Sequence, residues 1–180
     1  MSKLLVVVDY QKDFVDGALG FPGAEKLDEG ILALVKEYVD AGDSVLFTQD
    51  THDENYLQSR EGKALPIEHC ILGTEGHQIY GKTGHFARHC TRGNLYRTNK
   101  FTFGVSPEVF VGMQQLHMDF TEITIVGLVT NMCVVSNVAC FQAAYPNAQM
   151  VVESSLVDSF DKELHQKALD VMRGMQVIVK

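Results

Sequence analysis

Short apolar runs alternate with helix-like stretches along the first part of the chain. The run at 4–8 is rich in Leu and Val and predicts a buried strand, while residues 27–41 carry apolar side chains at helical spacing. Gly42 and Asp43 then break the chain before a second apolar run at 44–48. The pattern therefore predicts a strand, a helix and a second strand.

The same alternation continues through the second half of the chain. It predicts helices over 105–117, 134–144 and 162–173, and strands over 122–126 and 149–152, with 176–179 as a short strand that could close the sheet. Apolar strands that alternate with helices indicate a mainly parallel sheet covered on both faces. We predict an α/β fold of three layers, formed by a single domain over residues 1–180.

Residues 50–104 depart from this pattern. They hold most of the histidines and show little hydrophobic periodicity. Such segments usually form loops, and loops on an α/β scaffold often carry binding and catalytic side chains. We predict long functional loops here, with one short strand near Tyr96.

Composition narrows the class of protein. Of the 180 residues, 46% are hydrophobic and 21% are charged, and the net charge of −8 argues against binding to nucleic acid or to an anionic membrane. No apolar stretch is long enough to span a bilayer, and the run before Asp9 is too short for a signal peptide. The four cysteines form no C-x-x-C pair, so we expect no disulfides and predict a soluble, cytoplasmic protein.

Three predicted strands end in chemically reactive side chains. Asp9 follows the first strand, Asp50 and His52 follow the second, and Cys133 lies just beyond the strand at 122–126. Ligands of open parallel sheets bind beyond the carboxyl ends of the strands. We therefore expect these side chains to share one site.

Cys133 is the strongest candidate for a nucleophile. It lies between a predicted strand and the helix at 134–144, where free backbone N–H groups and the helix dipole favour a thiolate. The alternative is that Cys133 is a small buried hydrophobe, as most free cysteines are. We assign that ordinary role to the other cysteines, Cys70, Cys90 and Cys140.

Asp9 and Lys100 could activate this thiol. Asp9 follows three valines, and burial among them would raise the pKa of its carboxylate and make it a better proton acceptor. Lys100 lies near aromatic residues, and a buried ammonium beside Asp9 and Cys133 would favour the thiolate. The alternatives are that Asp9 only ends a strand or caps the segment 11–14, and that Lys100 is a solvated lysine.

A set of metal-ligating side chains lies in the region 50–104. Asp50 and His52 point to the same side of an extended segment, and His69 follows after a loop. This carboxylate and these two imidazoles suit zinc, manganese or iron, and either Glu61 or water could complete the coordination. The alternative is a solvated polar loop. We interpret the other histidines as surface or structural residues, namely His77, His85, His89, His117 and His165.

Five segments, taken in order, resemble the motifs of the isochorismatase-like cysteine hydrolases, and most closely those of the nicotinamidases (pyrazinamidases). Residues 9–14 resemble the opening Asp-x-Gln-x-Asp-Phe, and residues 50–52 resemble the Asp-x-His metal motif. Residues 69–76, 100–101 and 127–133 resemble the His-Cys-x-x-Gly-Thr-x-Gly, lysine and Gly-x-x-Thr-x-x-Cys segments. The resemblance covers nearly the whole chain and implies the family's Rossmann-like αβα sandwich.

The resemblance implies a catalytic triad of Cys133, Asp9 and Lys100. It also implies a cis peptide bond between Leu128 and Val129. The N–H groups of Val129 and Cys133 would then form the oxyanion hole.

The implied reaction is hydrolysis of nicotinamide to nicotinate and ammonia through a thioester on Cys133, as part of pyridine nucleotide salvage. Phe14 and Val129 would contact the substrate, and the metal would bind the pyridine nitrogen, either directly or through a coordinated water. The resemblance further implies a homo-oligomer with a small-molecule amide as its substrate.

Two departures from the nicotinamidase pattern concern the metal site. The second histidine and the tryptophan found there in many nicotinamidases are absent, and Glu61 could replace the histidine. The expected cofactor is a divalent metal, zinc before manganese or iron. Alternative functions are hydrolysis of another small amide or of a carbamoyl or ureido compound, and binding without catalysis.

Overall fold

A six-stranded parallel sheet forms the centre of the protein in the computed structural model, which describes residues 2–180. The strands, numbered in chain order, are β1 Ser2–Val8, β2 Ser44–Asp50, β3 Leu95–Lys100, β4 Phe120–Leu128, β5 Gln149–Asp158 and β6 Ile178–Val179. Their order in the sheet is β3-β2-β1-β4-β5-β6, and every neighbouring pair is parallel. The predicted α/β fold is confirmed.

Within the described residues, seven α-helices accompany these strands. They are α1 Lys12–Val15, α2 Leu27–Ala41, α3 Arg60–Ala64, α4 Gly81–His89, α5 Pro107–Gln115, α6 Val135–Ala144 and α7 Lys162–Gly174. Helices α5, α6 and α7 pack on one face of the sheet, and α2 and α4 pack on the other. Over residues 2–180, no helix combines the length and the apolar character that crossing a bilayer requires.

Successive residues of β1 point to opposite faces of the sheet. Leu4, Val6 and Val8 belong to the core on the side of α5, α6 and α7, whereas Leu5 and Val7 belong to the core on the side of α2 and α4. All five side chains are fully buried. Burial on both faces explains why this strand is a continuous apolar run in the sequence and not an alternating pattern.

The sheet grows in two directions from β1. Strands β2 and β3 are added on one side of β1, and β4, β5 and β6 on the other. At such a switch point the connections leave the sheet in opposite directions, so a crevice opens at the carboxyl ends of the strands. Asp9 follows β1 at this crevice, and Cys133 follows β4.

The prediction of loops over residues 50–104 is wrong for part of that segment, which contains α3 and α4. The Asp28 carboxylate, on α2, accepts hydrogen bonds from the N–H groups of Lys82 and Thr83 at 2.8 and 3.0 Å. Asp28 therefore caps the first turn of α4 from a neighbouring helix. A cap that is distant in sequence leaves no local signal, whereas the predicted strand near Tyr96 is confirmed as β3.

Two predicted boundaries also shift near the crevice. A π-helical turn, Thr130–Val134, contains Cys133, so α6 begins only at Val135. Strand β5 continues to Asp158, well beyond the predicted end at 152, after an irregularity in its pairing with β4. Both differences lie at the carboxyl end of the sheet, where the chain departs from regular spacing.

Gly127 should not tolerate a side chain. It lies opposite Val8 in the β1–β4 ladder, its φ is +111°, and a Cβ atom there would lie 2.0 Å from the Val8 carbonyl oxygen. We expect Gly127→Ala to lower the free energy of unfolding by about 2 kcal/mol or more, measured by urea denaturation, because strain and a backbone clash add together.

Gly42→Ala is the matched control for this prediction. Gly42 also has a positive φ of +81°, but no atom lies within 4 Å of its Cβ position. Its replacement should cost only about 1 kcal/mol. Equal losses in the two variants would contradict the importance of the close approach between β1 and β4.

Candidate active site

The ammonium of Lys100 lies at the centre of the candidate site. Lys100 is the last residue of β3, and its Nζ is 2.7 Å from Asp9 Oδ2, 3.0 Å from Asp50 Oδ1 and 3.5 Å from Cys133 Sγ. It also donates to the carbonyl oxygen of Thr102 at 2.9 Å. The structure thus brings together the three residues of the expected triad and one expected metal ligand.

Thr48 holds the Asp9 carboxylate in place. Asp9 directly follows β1 in a left-handed conformation, with φ of 44°, and its N–H group donates to the Thr48 carbonyl oxygen at 3.2 Å. The Thr48 hydroxyl donates to Asp9 Oδ1 at 2.7 Å, which leaves Oδ2 facing Lys100. Sequence reasoning missed Thr48, because a threonine inside a strand has no distinguishing signal.

Asn137 ties the turn that carries Cys133 to the loop after β3. Its Nδ2 donates to the carbonyl oxygens of Cys133 and Phe103 at 2.8 and 3.1 Å. Its Oδ1 accepts a hydrogen bond from the N–H group of Val105 at 3.1 Å. This buried amide therefore fixes the nucleophile relative to the segment that follows Lys100, and it too was missed from the sequence.

The charges of the site are set by burial and by mutual attraction. Burial raises the pKa of the Asp9 carboxyl, and the charge of Lys100 offsets this shift only in part. Burial and the negative charge of Asp9 likewise raise the pKa of the Cys133 thiol. Burial alone would lower the pKa of Lys100, but the neighbouring carboxylates hold it well above its ordinary value. These shifts favour a charged ammonium on Lys100 and a protonated thiol on Cys133.

Burial and the charge of Asp9 act against the thiolate that the turn at Cys133 is expected to favour. The side chain is only 6% exposed, and the carboxylate of Asp9 faces it. These two effects outweigh the charge of Lys100, which acts in the opposite direction. A base must remove the thiol proton before the sulfur can attack.

The four candidate metal ligands cluster beside Asp9 and Lys100. The ligand atoms of Asp50, His52, Glu61 and His69 all lie within 4.8 Å of one another. Asp50 Oδ2 is 3.0 Å from His52 Nε2 and 3.4 Å from His69 Nε2, and Glu61 Oε1 is 4.0 Å from His52 Nε2. Two imidazoles and two carboxylates form a donor set that suits zinc, manganese or iron.

The surroundings of these ligands fit a metal as well. The Nδ1 atom of His69 lies 2.8 Å from the carbonyl oxygen of Ile67, to which it donates, so Nε2 is left free to bind a cation. Glu61 is presented by α3, whose first turn is capped by the Ser59 hydroxyl. The interpretation of this region as a solvated loop does not hold, since Asp50 and His69 are buried.

A largely apolar pocket of about 420 Å³ leads to Cys133. It is lined by Cys133, Val129, Asp50 and His69, and the ring of Phe14 packs edge-on against His69 with 5.5 Å between the ring centroids. The peptide bond between buried Leu128 and Val129 is cis. The remaining walls include side chains that the sequence analysis did not identify: Leu19, Leu65, Phe103, Met132 and Phe160.

The histidines outside the cluster lie elsewhere in the fold. His77 Nε2 is 2.8 Å from the Thr51 hydroxyl, and His165 Nδ1 is 2.8 Å from the Thr130 hydroxyl. The side chains of His85, His89 and His117 are exposed. None of these five belongs to the metal-ligand group found among the described residues.

Comparison with known proteins identifies the family. The Isochorismatase domain family matches residues 3–180. PncA of Bacillus subtilis, described as an uncharacterized isochorismatase family protein, is 32% identical over 174 residues, which cover 94% of this chain and 93% of that protein.

Solved structures share the fold over the whole chain. The pyrazinamidase/nicotinamidase of Streptococcus mutans is 26% identical, with a TM-score of 0.87, over 99% of this chain and 100% of that one. The pyrazinamidase of Pyrococcus horikoshii, solved in complex with zinc, is 19% identical, with a TM-score of 0.84, over 100% of this chain and 99% of that one.

Removal of the central ammonium should destabilise the fold strongly. In Lys100→Met, the carboxylates of Asp9 and Asp50 remain buried without a cation between them. We expect a loss of about 3–5 kcal/mol in the free energy of unfolding at pH 8, measured by urea denaturation.

The stability that Lys100→Met loses should depend on pH if it comes from buried carboxylates that lack a cation. Burial raises the pKa of Asp9 above that of the unfolded chain, so protonation favours the folded state as the pH falls. The deficit of Lys100→Met should therefore shrink between pH 8 and pH 5. Lys3→Met removes an exposed lysine paired with Glu122 at 2.9 Å and should change little at either pH. A deficit independent of pH would contradict this account.

Proposed function

The chain belongs to the isochorismatase family, and from this premise we propose that this hydrolase is a nicotinamidase, which converts nicotinamide to nicotinate and ammonia. One observation carries the proposal. Lys100 contacts Asp9, Asp50 and Cys133, and two of these residues, Asp50 and Cys133, line an apolar pocket together with His69. A thiol, a base and a metal-ligand set therefore lie around one pocket of the size that a small aromatic amide needs.

In the proposed reaction, Asp9 accepts the thiol proton while Sγ of Cys133 attacks the amide carbonyl carbon. The N–H groups of Val129 and Cys133 stabilise the negative charge that develops on the carbonyl oxygen. Asp9 then donates its proton to the leaving ammonia, and a thioester remains. The same carboxylate accepts a proton from the water that attacks this thioester and returns it to Sγ of Cys133 as the C–S bond breaks and nicotinate leaves.

Lys100 stays charged throughout this sequence. Its ammonium offsets the negative charge that the site carries when Asp9 is ionised and stabilises the thiolate as the proton leaves. The Thr48 hydroxyl holds Asp9 Oδ1, so that Oδ2 remains beside Lys100. The base is thereby kept in one orientation for both proton transfers.

The walls of the pocket suit a flat aromatic ring. Phe14, Phe103 and Phe160 supply rings, and Leu19 and Leu65 add apolar surface. Metal-ligating groups of Asp50, Glu61 and His69 also line the pocket. A divalent metal bound by these residues and His52 would supply a Lewis-acidic position for the ring nitrogen of the substrate, and we propose zinc as that metal.

We further propose that the enzyme works in the cytoplasm as a homo-oligomer. All four of its cysteines are free thiols, which suits a reducing compartment. The oligomer rests on the resemblance to the family alone. Sedimentation of the purified protein as a 20.0 kDa monomer would contradict it.

The proposed nucleophile predicts a large and specific loss of activity. Ammonia release from nicotinamide by the zinc-loaded enzyme should fall at least about 10³-fold in Cys133→Ala, because no thioester can form. Cys140→Ala is the control, since Cys140 is a half-buried thiol outside the pocket. Its activity should match that of the wild type.

A panel of amides distinguishes this proposal from its alternatives. If the zinc-loaded enzyme releases ammonia from a carbamoyl or ureido compound but not from nicotinamide, the hydrolase assignment stands and the nicotinamidase proposal fails. If no amide is hydrolysed and an electrophile modifies Cys133 no faster than a free thiol, a non-catalytic binding role replaces both.

Glu61 should contribute to metal affinity. Glu61→Ala removes one of four clustered donors, so we expect zinc to bind about 10–100-fold more weakly in competition with a chromophoric chelator. Glu54→Ala is the control, because Glu54 is an exposed acid on the same connection and outside the cluster. Unchanged zinc affinity in Glu61→Ala would exclude Glu61 as a ligand.

A further inference from the structure

Gln11 forms an unusual set of hydrogen bonds with the main chain of Asp50. Gln11 lies two residues beyond Asp9 and is fully buried. Its Oε1 accepts the N–H group of Asp50 at 2.7 Å, and its Nε2 donates to the carbonyl oxygen of Asp50 at 2.9 Å. The same Nε2 donates to the carbonyl oxygen of His77 at 2.9 Å. The side-chain amide therefore pairs with Asp50 as a neighbouring strand would.

Asp50 needs such a partner because β1 ends before it. The last pair between β1 and β2 joins Val8 to Thr48, two residues before Asp50. On the other side of β2, Asp50 is still paired with Lys100 of β3. The main chain of Asp50 would thus be held from one side only, and the Gln11 amide supplies the missing side.

The position of Asp50 matters because its carboxylate faces two centres, the catalytic triad at Lys100 and the metal site at His52 and His69. Oδ1 lies 3.0 Å from Lys100 Nζ, whereas Oδ2 lies 3.0 Å from His52 Nε2 and 3.4 Å from His69 Nε2. A displacement of about 1 Å would weaken both sets of contacts at once.

We infer that Gln11 is a positioning residue that completes the strand pairing of Asp50. It thereby holds the Asp50 carboxylate in contact with both Lys100 and the histidines of the metal site. This inference deepens the proposed function and rests on it only for the catalytic meaning of the two centres. Its signature is that loss of the Gln11 amide impairs both centres together.

The experiment compares Gln11→Met with Gln49→Met. Gln49 also donates from Nε2 to the His77 carbonyl oxygen, at 2.9 Å, but its side chain makes no hydrogen bond to Asp50. The pair of variants therefore separates the hold on Asp50 from the hold on the loop at His77. Circular dichroism and thermal melting would establish that each variant is folded.

Two measurements that need no amide substrate report on the two centres. For Gln11→Met we expect zinc affinity, measured against a chromophoric chelator, to fall about 10–100-fold. We also expect the rate at which iodoacetamide alkylates Cys133 of the metal-free protein to differ about tenfold from that of the wild type, because a displaced Asp50 releases Lys100, whose Nζ lies 3.5 Å from Cys133 Sγ. Gln49→Met should match the wild type in both measurements.

The inference is overturned if folded Gln11→Met behaves as the wild type in either measurement, or if Gln49→Met shows equal losses. Should Gln11→Met fail to fold, Gln11→Glu decides by the same measurements, since it keeps the size and the acceptor but loses both donors. A wild-type protein that binds zinc but does not hydrolyse nicotinamide would refute the proposed function and leave this test intact.

Discussion

The buried ammonium of Lys100 is the interaction on which the rest of the site depends. Removing such a group from water costs several kcal/mol, and only close opposite charges offset that cost. Asp9 and Asp50 supply them at 2.7 and 3.0 Å. The three side chains lie at the ends of three adjacent strands, so the attraction between them also fixes how β1, β2 and β3 end relative to one another.

Sheet topology explains why these groups meet, and why much of the site could be predicted. Strands buried on both faces are continuous apolar runs, so β1, β2 and β4 were evident from the pattern alone. Parallel strands have their carboxyl ends at one edge, which is why Asp9, Asp50 and Cys133 could be expected together without any distance information.

The parts that sequence reasoning missed depend on contacts between distant segments. Helix α4 is capped by Asp28 from another helix, and the hydrogen bonds of Thr48 and Asn137 become meaningful only once the strands are paired. The protonation state of Cys133 could not be predicted either. The local turn favours a thiolate, whereas burial beside carboxylates, a property of the whole fold, favours the thiol.

A protonated resting thiol suits the proposed chemistry better than a preformed thiolate. Amide hydrolysis must deliver a proton to the departing nitrogen, and a protonated thiol beside a buried base supplies that proton within the site. Burial raises the pKa of the Cys133 thiol, and Asp9 is fully buried, so in the proposed reaction the proton passes directly from sulfur to carboxylate and then to the leaving group. While Asp9 holds the proton, Cys133 is a thiolate. The charge of Lys100 lowers the energy of this state because its ammonium lies beside the sulfur. The burial that raises the pKa of the nucleophile thus also conserves the proton that the departing ammonia requires.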